Sequence, residues 1–472
     1  MYLLNLHSRE VRKLVKMLKL VHNEYIKVMK KLSTKIIFVL IALFVIGLIG
    51  LSKFAQNTIE KDMVNYYSGS SDYSYEIGQA KEMKYEGYEL DVEKYSFLTD
   101  NGITPDSWKY EAASDLFSHE ENETKYDMSD AERSKLEKMI KDGDWKSYCQ
   151  YKIDVLKAAG MSEAYYWLYD YCLKNEIALP ESYSDSIEYP YNTVSQASEQ
   201  RISIAGFDEM GDISEEVAVE KAAAEEKLKL LNYQLENDIE VNISECSNIF
   251  VTDYINFWSV FGTSASLVSV IGMLLIIVAG GTVASEFSNG TVKFLLINPV
   301  KRWKILMSKY IMTITLGFLM MAFMYILSAI LSMLFFGASL ADIPYIKIEN
   351  GTITEMNGFL FILRKYLFKS VNVIVMSTLA FAISSLVRSS SLAIGVSIFA
   401  MLSGSTIVQL MKMAFNLDWA RYLIFANTDI ESIIEGTSMF SHHSLPFALG
   451  VIAVHMLVFL LTAWDGFTRR EV

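Results

Sequence analysis

Six long apolar runs constrain the fold of this 472-residue chain more than any other feature of its sequence. The hydrocarbon core of a bilayer is about 30 Å thick, and a helix of roughly 20 residues crosses it. Backbone groups in lipid must bond within their own segment, so we expect each run to be a membrane-spanning helix. Buried helices of a large soluble protein, the alternative, rarely stay uncharged for so long. The runs are Ile36–Ser52, Ser259–Thr282, Tyr310–Phe336, Val371–Leu386, Leu392–Met411 and Phe447–Trp464.

Charge is strongly segregated along the chain. Residues 54–257 contain 43 acidic and 18 basic residues, a net charge of −25, whereas the rest of the chain has a net charge of +12. A soluble acidic domain inserted into a membrane protein explains this pattern better than one mixed globule. We therefore predict a first span at 36–53, an acidic domain at 54–257 and five further spans within 258–472.

Lysine and arginine near the ends of the spans predict the orientation in the membrane. Residues 1–35 contain nine basic and two acidic residues, which places the N-terminus in the cytosol by the positive-inside rule. With six spans the C-terminus and residues 284–309 are then cytosolic, and the acidic domain is extracellular. Lys365 and Lys369 do not follow this pattern, and we expect them to snorkel to the outer interface.

The N-terminal segment has the pattern of a basic amphipathic helix. Apolar residues between Val11 and Met29 recur at helical spacing, and most lysines lie elsewhere on the helical wheel. Such a helix lies on the inner leaflet or packs on a partner protein. We expect the first span to remain as an anchor, because no clear cleavage site follows it. Met17 is an alternative start of the chain.

The acidic domain is predicted to be mainly helical. Ser129 and Glu132 have the spacing of a capping box ahead of a helix that ends near Lys141. Residues 84–92 are compatible with a strand, and a polar segment near residue 190 is predicted to be a loop. Further helices are predicted at 57–67, 145–159, 163–174 and 215–236.

All three cysteines lie in the predicted extracellular domain, where an oxidising environment permits disulfides. Cys149 and Cys172 lie on adjacent predicted helices and would join them if they paired. Free, buried thiols are the alternative. Cys246 has no remaining partner in either case.

Motifs for catalysis are scarce. The sequence has no G-x-x-x-x-G-K-S/T loop, so we do not expect the chain to bind ATP or to be an enzyme. His442 and His443 are predicted to be solvated rather than metal-bound, and no metal, cofactor or nucleic acid is expected to bind. His455 lies in the middle of the last run, where it either serves function or forms a packing hydrogen bond.

One polar segment, residues 284–309, lies between the second and third runs and contains the pattern E-x-x-x-G-T-x-x-x-L-L-x-x-P-x-x-R. It resembles the segment that follows the second span in ABC-2-type transporter permeases. Asn23–Lys27, Leu379–Leu402, residues 421–429 and the basic C-terminal tail are similar to other parts of that family. The resemblance covers residues 20–53 and 258–472. The pattern is formed by Glu286, Gly290, Thr291, Leu295, Leu296, Pro299 and Arg302.

The resemblance implies an all-α polytopic membrane protein of a bacterial plasma membrane, with six spans and a large extracellular domain. It implies a permease subunit that pairs with a second permease copy or relative and with two separate cytosolic ATPase subunits. ATP bound by those subunits would drive export through contacts with residues 284–309, the predicted coupling segment. Two alternatives are a module that captures antimicrobial peptides through its extracellular domain for sensing or resistance, and a membrane scaffold without transport.

Overall fold

The structure, a computed structural model, describes residues 2–68, 71–85, 87–117, 129–210, 214–243, 249, 255–288, 300–338, 341–349, 351–387 and 389–469. Side chains are described in these ranges except at 2–14, 59–68, 183 and 287–288. The chain divides into two compact units. The membrane unit consists of Met1–Lys53, Cys246–Ala341 and Asn357–Val472, and the acidic unit consists of Phe54–Glu245 and Asp342–Met356.

The elements of both units are almost all helices. In chain order they are α1 (Tyr2–Lys30), α2 (Leu32–Ser68), α3 (Ser74–Met83), α4 (Tyr88–Asp100), α5 (Trp108–Leu116), α6 (Asp130–Asp142), α7 (Trp145–Ala158), α8 (Glu163–Lys174), α9 (Tyr183–Ser186), α10 (Tyr191–Glu209), α11 (Glu215–Glu236), α12 (Phe257–Thr263), a 3₁₀ turn (Ser264–Leu267), α13 (Val268–Ser288), α14 (Arg302–Phe336), β1 (Pro344–Glu349), β2 (Thr352–Asn357), α15 (Gly358–Leu386), α16 (Ser390–Met413), two 3₁₀ turns (Asp418–Tyr422 and Ile424–Ala426), α17 (Ile430–Ile434) and α18 (Leu445–Thr468).

Six helical segments of the described residues are long and apolar enough to cross a membrane. Each of the six predicted runs lies within one of them, so the predicted number and positions of the apolar helices are confirmed. The second segment is α12 and α13 joined by the 3₁₀ turn, and it is therefore not one regular helix. The segments are Leu32–Thr58, Phe257–Glu286, Arg302–Phe336, Gly358–Leu386, Ser390–Met413 and Leu445–Thr468.

The fourth apolar helix, α15, begins 13 residues before the predicted run, at Gly358 rather than Val371. Its first turns contain positively charged residues, and the predicted apolar run left these turns out for that reason. The guanidinium of Arg364 and the ammonium of Lys365 lie over the ring of Phe361, at 5.3 Å and 4.9 Å from its centroid. Cation–π contacts of this kind let charged residues lie on a helix that is otherwise apolar.

The core of the membrane unit forms where α13 packs along α15. Ile276, Ala279 and Val283 of α13 are fully buried among Val375, Met376 and Phe381 of α15. Gly280 lets α16 approach α13 closely, since a Cβ there would lie 2.8 Å from Cγ1 of Ile394. Small residues at such crossings are typical of helix packing in membranes.

The acidic unit has its own hydrophobic core, which includes the fully buried residues Leu98, Tyr148 and Cys172. One largely buried cation of this unit is paired within it. The ammonium of Lys152 lies 2.9 Å from carboxylate oxygens of both Glu111 and Asp115. The predicted capping box is confirmed, because the Glu132 backbone N–H donates to the Ser129 hydroxyl and Glu132 accepts from the Ser129 backbone N–H.

Two predictions for the acidic unit are wrong. Residues 88–92, part of the predicted strand, begin helix α4, which follows Gly87 in a left-handed conformation at φ 87°. The predicted loop near residue 190 is mostly helix α10. Its polar sequence has weak helical propensity, but Val194 and Ala197 are fully buried, and this tertiary packing outweighs propensity. The hairpin β1–β2 was not predicted, and it belongs to the acidic unit through the hydrogen bond that Tyr233 donates to Glu355.

Cys149 and Cys172 are fully buried and unbonded in this structure, and the disulfide between them stays a prediction. Burial raises the pKa of each thiol to about 12, and for Cys149 the neighbouring Cys172 adds to this effect. Both therefore behave as small apolar side chains rather than as reactive thiolates. Cys246 lies outside the described residues.

Candidate functional site

An ion cluster joins three helices of the membrane unit. The ammonium of Lys309 donates to Oε2 of Glu24 at 2.8 Å and to Oε1 of Glu286 at 3.1 Å. Lys27 donates to the other carboxylate oxygen of Glu24, also at 2.8 Å. We call Glu24, Lys27, Glu286 and Lys309 the three-helix ion cluster. Its two lysines and two glutamates have no net charge.

The members of the three-helix ion cluster come from helix ends that the sequence places far apart. Glu24 and Lys27 lie one turn apart on α1, Glu286 lies near the end of α13, and Lys309 lies in the second turn of α14. The α1 helix packs against α14, and Val28 is buried there. The amphipathic α1 therefore packs on its own chain, while Leu18 on the same helix stays exposed.

Burial makes the cluster energetically demanding. The Lys309 side chain is 3% exposed, that of Glu24 is 10% exposed and that of Glu286 is 21% exposed. Burial raises the pKa of Glu24, but the charges of Lys309 and Lys27 outweigh it, and the net effect is a lowered pKa. Glu24 is thus held as a carboxylate. A buried ion that loses its partner is strongly destabilising, so each charge in the cluster depends on the others.

A cavity of about 340 Å³ adjoins the cluster. Glu24, Glu286 and Lys309 line it together with polar side chains such as Thr34, Ser285 and Ser390. Exposed residues such as Lys27 and Lys31 also line it, so the cavity is open to the surface. The ion cluster therefore borders a surface groove.

The Ser384 hydroxyl of α15 bonds to the backbone of α13 near its end. It donates to the carbonyl oxygen of Gly280 at 2.6 Å and accepts from the N–H of Ala284 at 3.0 Å. The α13 helix continues past this contact to Ser288. Ser384 therefore ties α15 to α13 two residues before Glu286.

The described residues include only the two ends of the predicted coupling pattern. Glu286 belongs to the three-helix ion cluster, and Arg302 donates from Nη1 to the Thr468 carbonyl oxygen at the end of α18, at 3.4 Å. Both flanks of the segment thus contact other helices of the membrane unit. Gly290, Thr291, Leu295, Leu296 and Pro299 lie outside the described residues.

Sequence reasoning missed Glu24 and Lys309 as a pair. Two signals were present: Glu24 is an isolated acidic residue in a basic helix, and Lys309 directly precedes an apolar run. A charge at the edge of a membrane span needs a partner or water. That argument would have selected both residues, although pattern alone gives no reason to pair residues 285 positions apart.

The histidines have structural partners. Nε2 of His443 lies 2.9 Å from Oδ1 of Asn427, and its Nδ1 lies 2.7 Å from the hydroxyl of Ser438. His443 is 9% exposed, so the prediction of a solvated histidine is wrong for this residue. Nδ1 of His455 lies 2.9 Å from the carbonyl oxygen of Val451, consistent with the packing interpretation. Within the described ranges no three His, Cys, Asp or Glu residues are grouped to hold a metal ion.

The described residues contain six long apolar helical segments, and a buried ion cluster lies where three helices of the membrane unit meet. These features define a polytopic membrane protein. Residues 238–472 match the family model described as "Protein of unknown function (DUF2705)". The chain is similar to "Uncharacterized protein YhcI" of Bacillus subtilis (strain 168), with 34% identity over 255 residues, which is 53% of this chain and 77% of the relative. It is also similar to "Uncharacterized membrane protein YdbK" of the same organism, with 34% identity over 218 residues, 46% of this chain and 84% of the relative. The chain belongs to the family of these proteins.

Proposed function

We propose that this chain is the membrane-spanning subunit of an ABC-2-type transporter and couples ATP hydrolysis by separate cytosolic subunits to export. The observation that carries the proposal is the three-helix ion cluster, which binds Glu286 at the start of the predicted coupling segment to α1 and α14. Supporting observations are the six apolar helices and the sequence pattern around the segment. The absence of a phosphate-binding loop from the sequence requires a separate ATPase.

The ion cluster gives the proposed coupling a physical basis. A force on the segment moves Glu286 with the end of α13 and Lys309 with the start of α14. Separating them would leave a buried charge without its partner, which is costly. A joint movement of α13, α14 and α1 keeps the ion pairs intact and therefore costs less free energy. The cluster thus converts a local push into a displacement of several spans.

The hydrogen bonds of Ser384 determine which part of α13 stays fixed during such a movement. The N–H of Ala284 and the carbonyl oxygen of Gly280 both bond to the Ser384 hydroxyl. These bonds hold α13 to α15 as far as Ala284. In this proposal the residues of α13 after Ala284 move with the coupling segment, while the rest of α13 stays packed on α15.

The test is reconstitution of the full chain with an ABC-type ATPase subunit, sought first among the genes that neighbour its own. We expect the pair to copurify, the chain alone to hydrolyse no ATP, and Lys309→Met to separate hydrolysis from transport. Lys19→Met removes a charge from the exposed surface of α1 and serves as the matched control. The proposal fails if the purified chain hydrolyses ATP by itself, or if folded Lys309→Met protein couples hydrolysis to transport as well as the Lys19→Met control does.

A further inference from the structure

A second polar cavity, of about 260 Å³, lies in the membrane unit away from the ion cluster. It forms where α13, α15 and α16 meet the segment that connects α16 to α18. Most of its lining is polar, although three of its four walls are apolar helices. The polar side chains of the lining are Ser269, Lys369, Asn372, Ser405, Gln409, Thr428, Asp429 and Glu431.

Polar side chains cost free energy in apolar helices such as those that line this cavity. Asn372, Ser405 and Gln409 lie on α15 and α16, which are both apolar enough to span a membrane. Polar residues in such helices mark binding sites or paths for solutes by default. Among the described residues, Oδ1 of Asn372 is buried and has no hydrogen-bond partner. The site therefore retains an unused acceptor for an N–H or O–H donor.

The charges of the side chains that line the cavity indicate the sign of the charge on its ligand. Two carboxylates, Asp429 and Glu431, and one ammonium, Lys369, line the cavity. Lys369 and Glu431 are 3.7 Å apart, farther than a hydrogen bond requires, so this pair is loose. The other cations of α15, Arg364 and Lys365, do not line the cavity and lie over the Phe361 ring, although Lys365 also attracts Glu431 and Glu435. The lining itself, with two carboxylates and one ammonium, has a net charge of −1.

The cavity is held in place by the segment that closes it. Phe425 packs on α16 at Gly404, where a Cβ would lie only 2.2 Å from the ring, so the ring needs a glycine there. Asp429 uses Oδ1 to accept from the N–H of Ser432, 3.4 Å away, and so caps α17. The buried Asn427 donates to the carbonyl oxygens of Arg421 and Leu423, both at 2.8 Å. The carboxylates therefore have fixed positions before any ligand arrives.

We propose that this cavity binds a small organic ammonium ion. The ammonium is placed between the carboxylates of Asp429 and Glu431, and one of its N–H groups donates to Asn372. A cavity of this volume admits a molecule of a few heavy atoms, at the small end of ligand sites. The proposal does not depend on the proposed transport function, since it rests on a different set of residues.

The experiment measures binding of ethanolammonium chloride to the full chain in nanodiscs by calorimetry and thermal melting. Sodium chloride at equal ionic strength tests for a simple cation effect, and ethylene glycol tests for the hydroxyl group alone. We expect saturable binding and a higher melting temperature with ethanolammonium, and neither effect with the two controls. Absence of binding, or equal effects of sodium chloride, overturns the proposal.

Three variants locate the site. Asp429→Asn removes a charge but keeps a good helix cap, and we expect it to weaken ethanolammonium binding roughly tenfold or more. Asn372→Asp adds a negative charge at the unused acceptor and should tighten binding, a result that misfolding cannot imitate. Asp418→Asn changes a carboxylate of the same segment that is 66% exposed and does not line the cavity, and it should leave binding unchanged. Unchanged binding in both Asp429→Asn and Asn372→Asp places the ligand elsewhere and overturns the proposal.

Discussion

At the scale of single residues, the membrane unit places charge where partners from other helices compensate it. Lys309 is almost fully buried, yet two carboxylates on different helices accept its hydrogen bonds. The stabilising effect of Lys309 depends on its two partners, because its removal leaves the carboxylates of Glu24 and Glu286 facing each other. Lys27 makes one of the same contacts from the surface, with 59% of its side chain exposed.

The difference between these two lysines gives the first prediction. Lys309→Met should lower the free energy of unfolding by roughly 3–5 kcal/mol, the usual cost of breaking a buried ion pair. Lys27→Met should cost less than about 1 kcal/mol, since exposed ion pairs contribute little. Thermal melting in nanodiscs compares the two variants. Adding Glu24→Gln and Glu286→Gln to Lys309→Met should restore part of the loss, and equal melting temperatures for the two single variants would contradict this account of the cluster.

His443 gives a second prediction, on pH. Burial, with the charge of Arg421 next, lowers the pKa of His443 below its ordinary 6.5. Asn427 uses its amide N–H groups for two carbonyls, so its Oδ1 accepts from Nε2 of a neutral His443. The unfolded chain takes up the proton first as the pH falls. Stability is therefore full above about pH 6.5 and declines below it, until the folded protein binds the proton too.

Melting at pH 7.5 and at pH 5.5 tests this assignment. Part of the loss on acidification should disappear in His443→Gln, whose amide offers one donor and one acceptor but does not titrate. The neighbouring His442 is exposed, and His442→Gln should retain the full loss. A loss of the same size in His443→Gln and the original chain would assign the acid sensitivity to other groups.

At the scale of helices, the distance between neighbouring backbones determines at which positions a glycine is required. Two adjacent glycines of α13 differ in their surroundings. A Cβ on Gly280 would lie 2.8 Å from Cγ1 and 3.3 Å from the backbone nitrogen of Ile394, whereas a Cβ on Gly281 would have nothing within 4 Å. The contact at Gly280 includes backbone, which cannot rotate away. Gly280 thus sets the distance between α13 and α16.

The third prediction follows from this pair. Gly280→Ala should destabilise the protein by about 1–3 kcal/mol, because overpacking forces the two helices apart. Gly281→Ala should be neutral or should stabilise by up to roughly 1 kcal/mol, because alanine is the better helix former. Thermal melting of both variants measures the difference. A destabilised Gly281→Ala variant beside an unaffected Gly280→Ala would exclude this packing.

The sequence predicted elements better than it predicted their contacts. Apolar runs located all six long apolar segments of the described residues, because length and hydropathy are local properties. The start of α15 was missed, because its cations are accommodated by Phe361, a contact formed only on folding. Helix α10 was missed for the related reason that buried Val194 and Ala197 stabilise a polar sequence. In the candidate site Glu286 was predicted, but its partners Lys309 and Glu24 were not, since pairing across the fold has no local signal.

At the scale of the whole molecule, the chain consists of two compact units, and the acidic unit has a hydrophobic core of its own. The buried core of the acidic unit extends from Tyr73 to Val194, and Leu235 of α11 packs against it. The hairpin β1–β2 is the one part of that unit supplied from beyond residue 245. Its hydrogen bonds to α11, from Lys229 and Tyr233, are exposed, and Tyr345 and Ile346 of β1 are buried. The core cluster described above nevertheless contains no hairpin residue, so residues 71–243 contain most of what the unit needs to fold.

The last prediction is therefore that residues 71–243, produced alone, form a soluble helical domain. The fragment should show helical circular dichroism and unfold in one cooperative transition, as small domains with a single core do. Leu98→Ala removes a fully buried side chain and should cost roughly 2–5 kcal/mol. Val219→Ala changes a side chain that is 66% exposed and should cost less than about 0.5 kcal/mol. A fragment that is unfolded, or one in which both substitutions cost the same, would mean that residues 71–243 depend on other parts of the chain, such as the β1–β2 hairpin, for their fold.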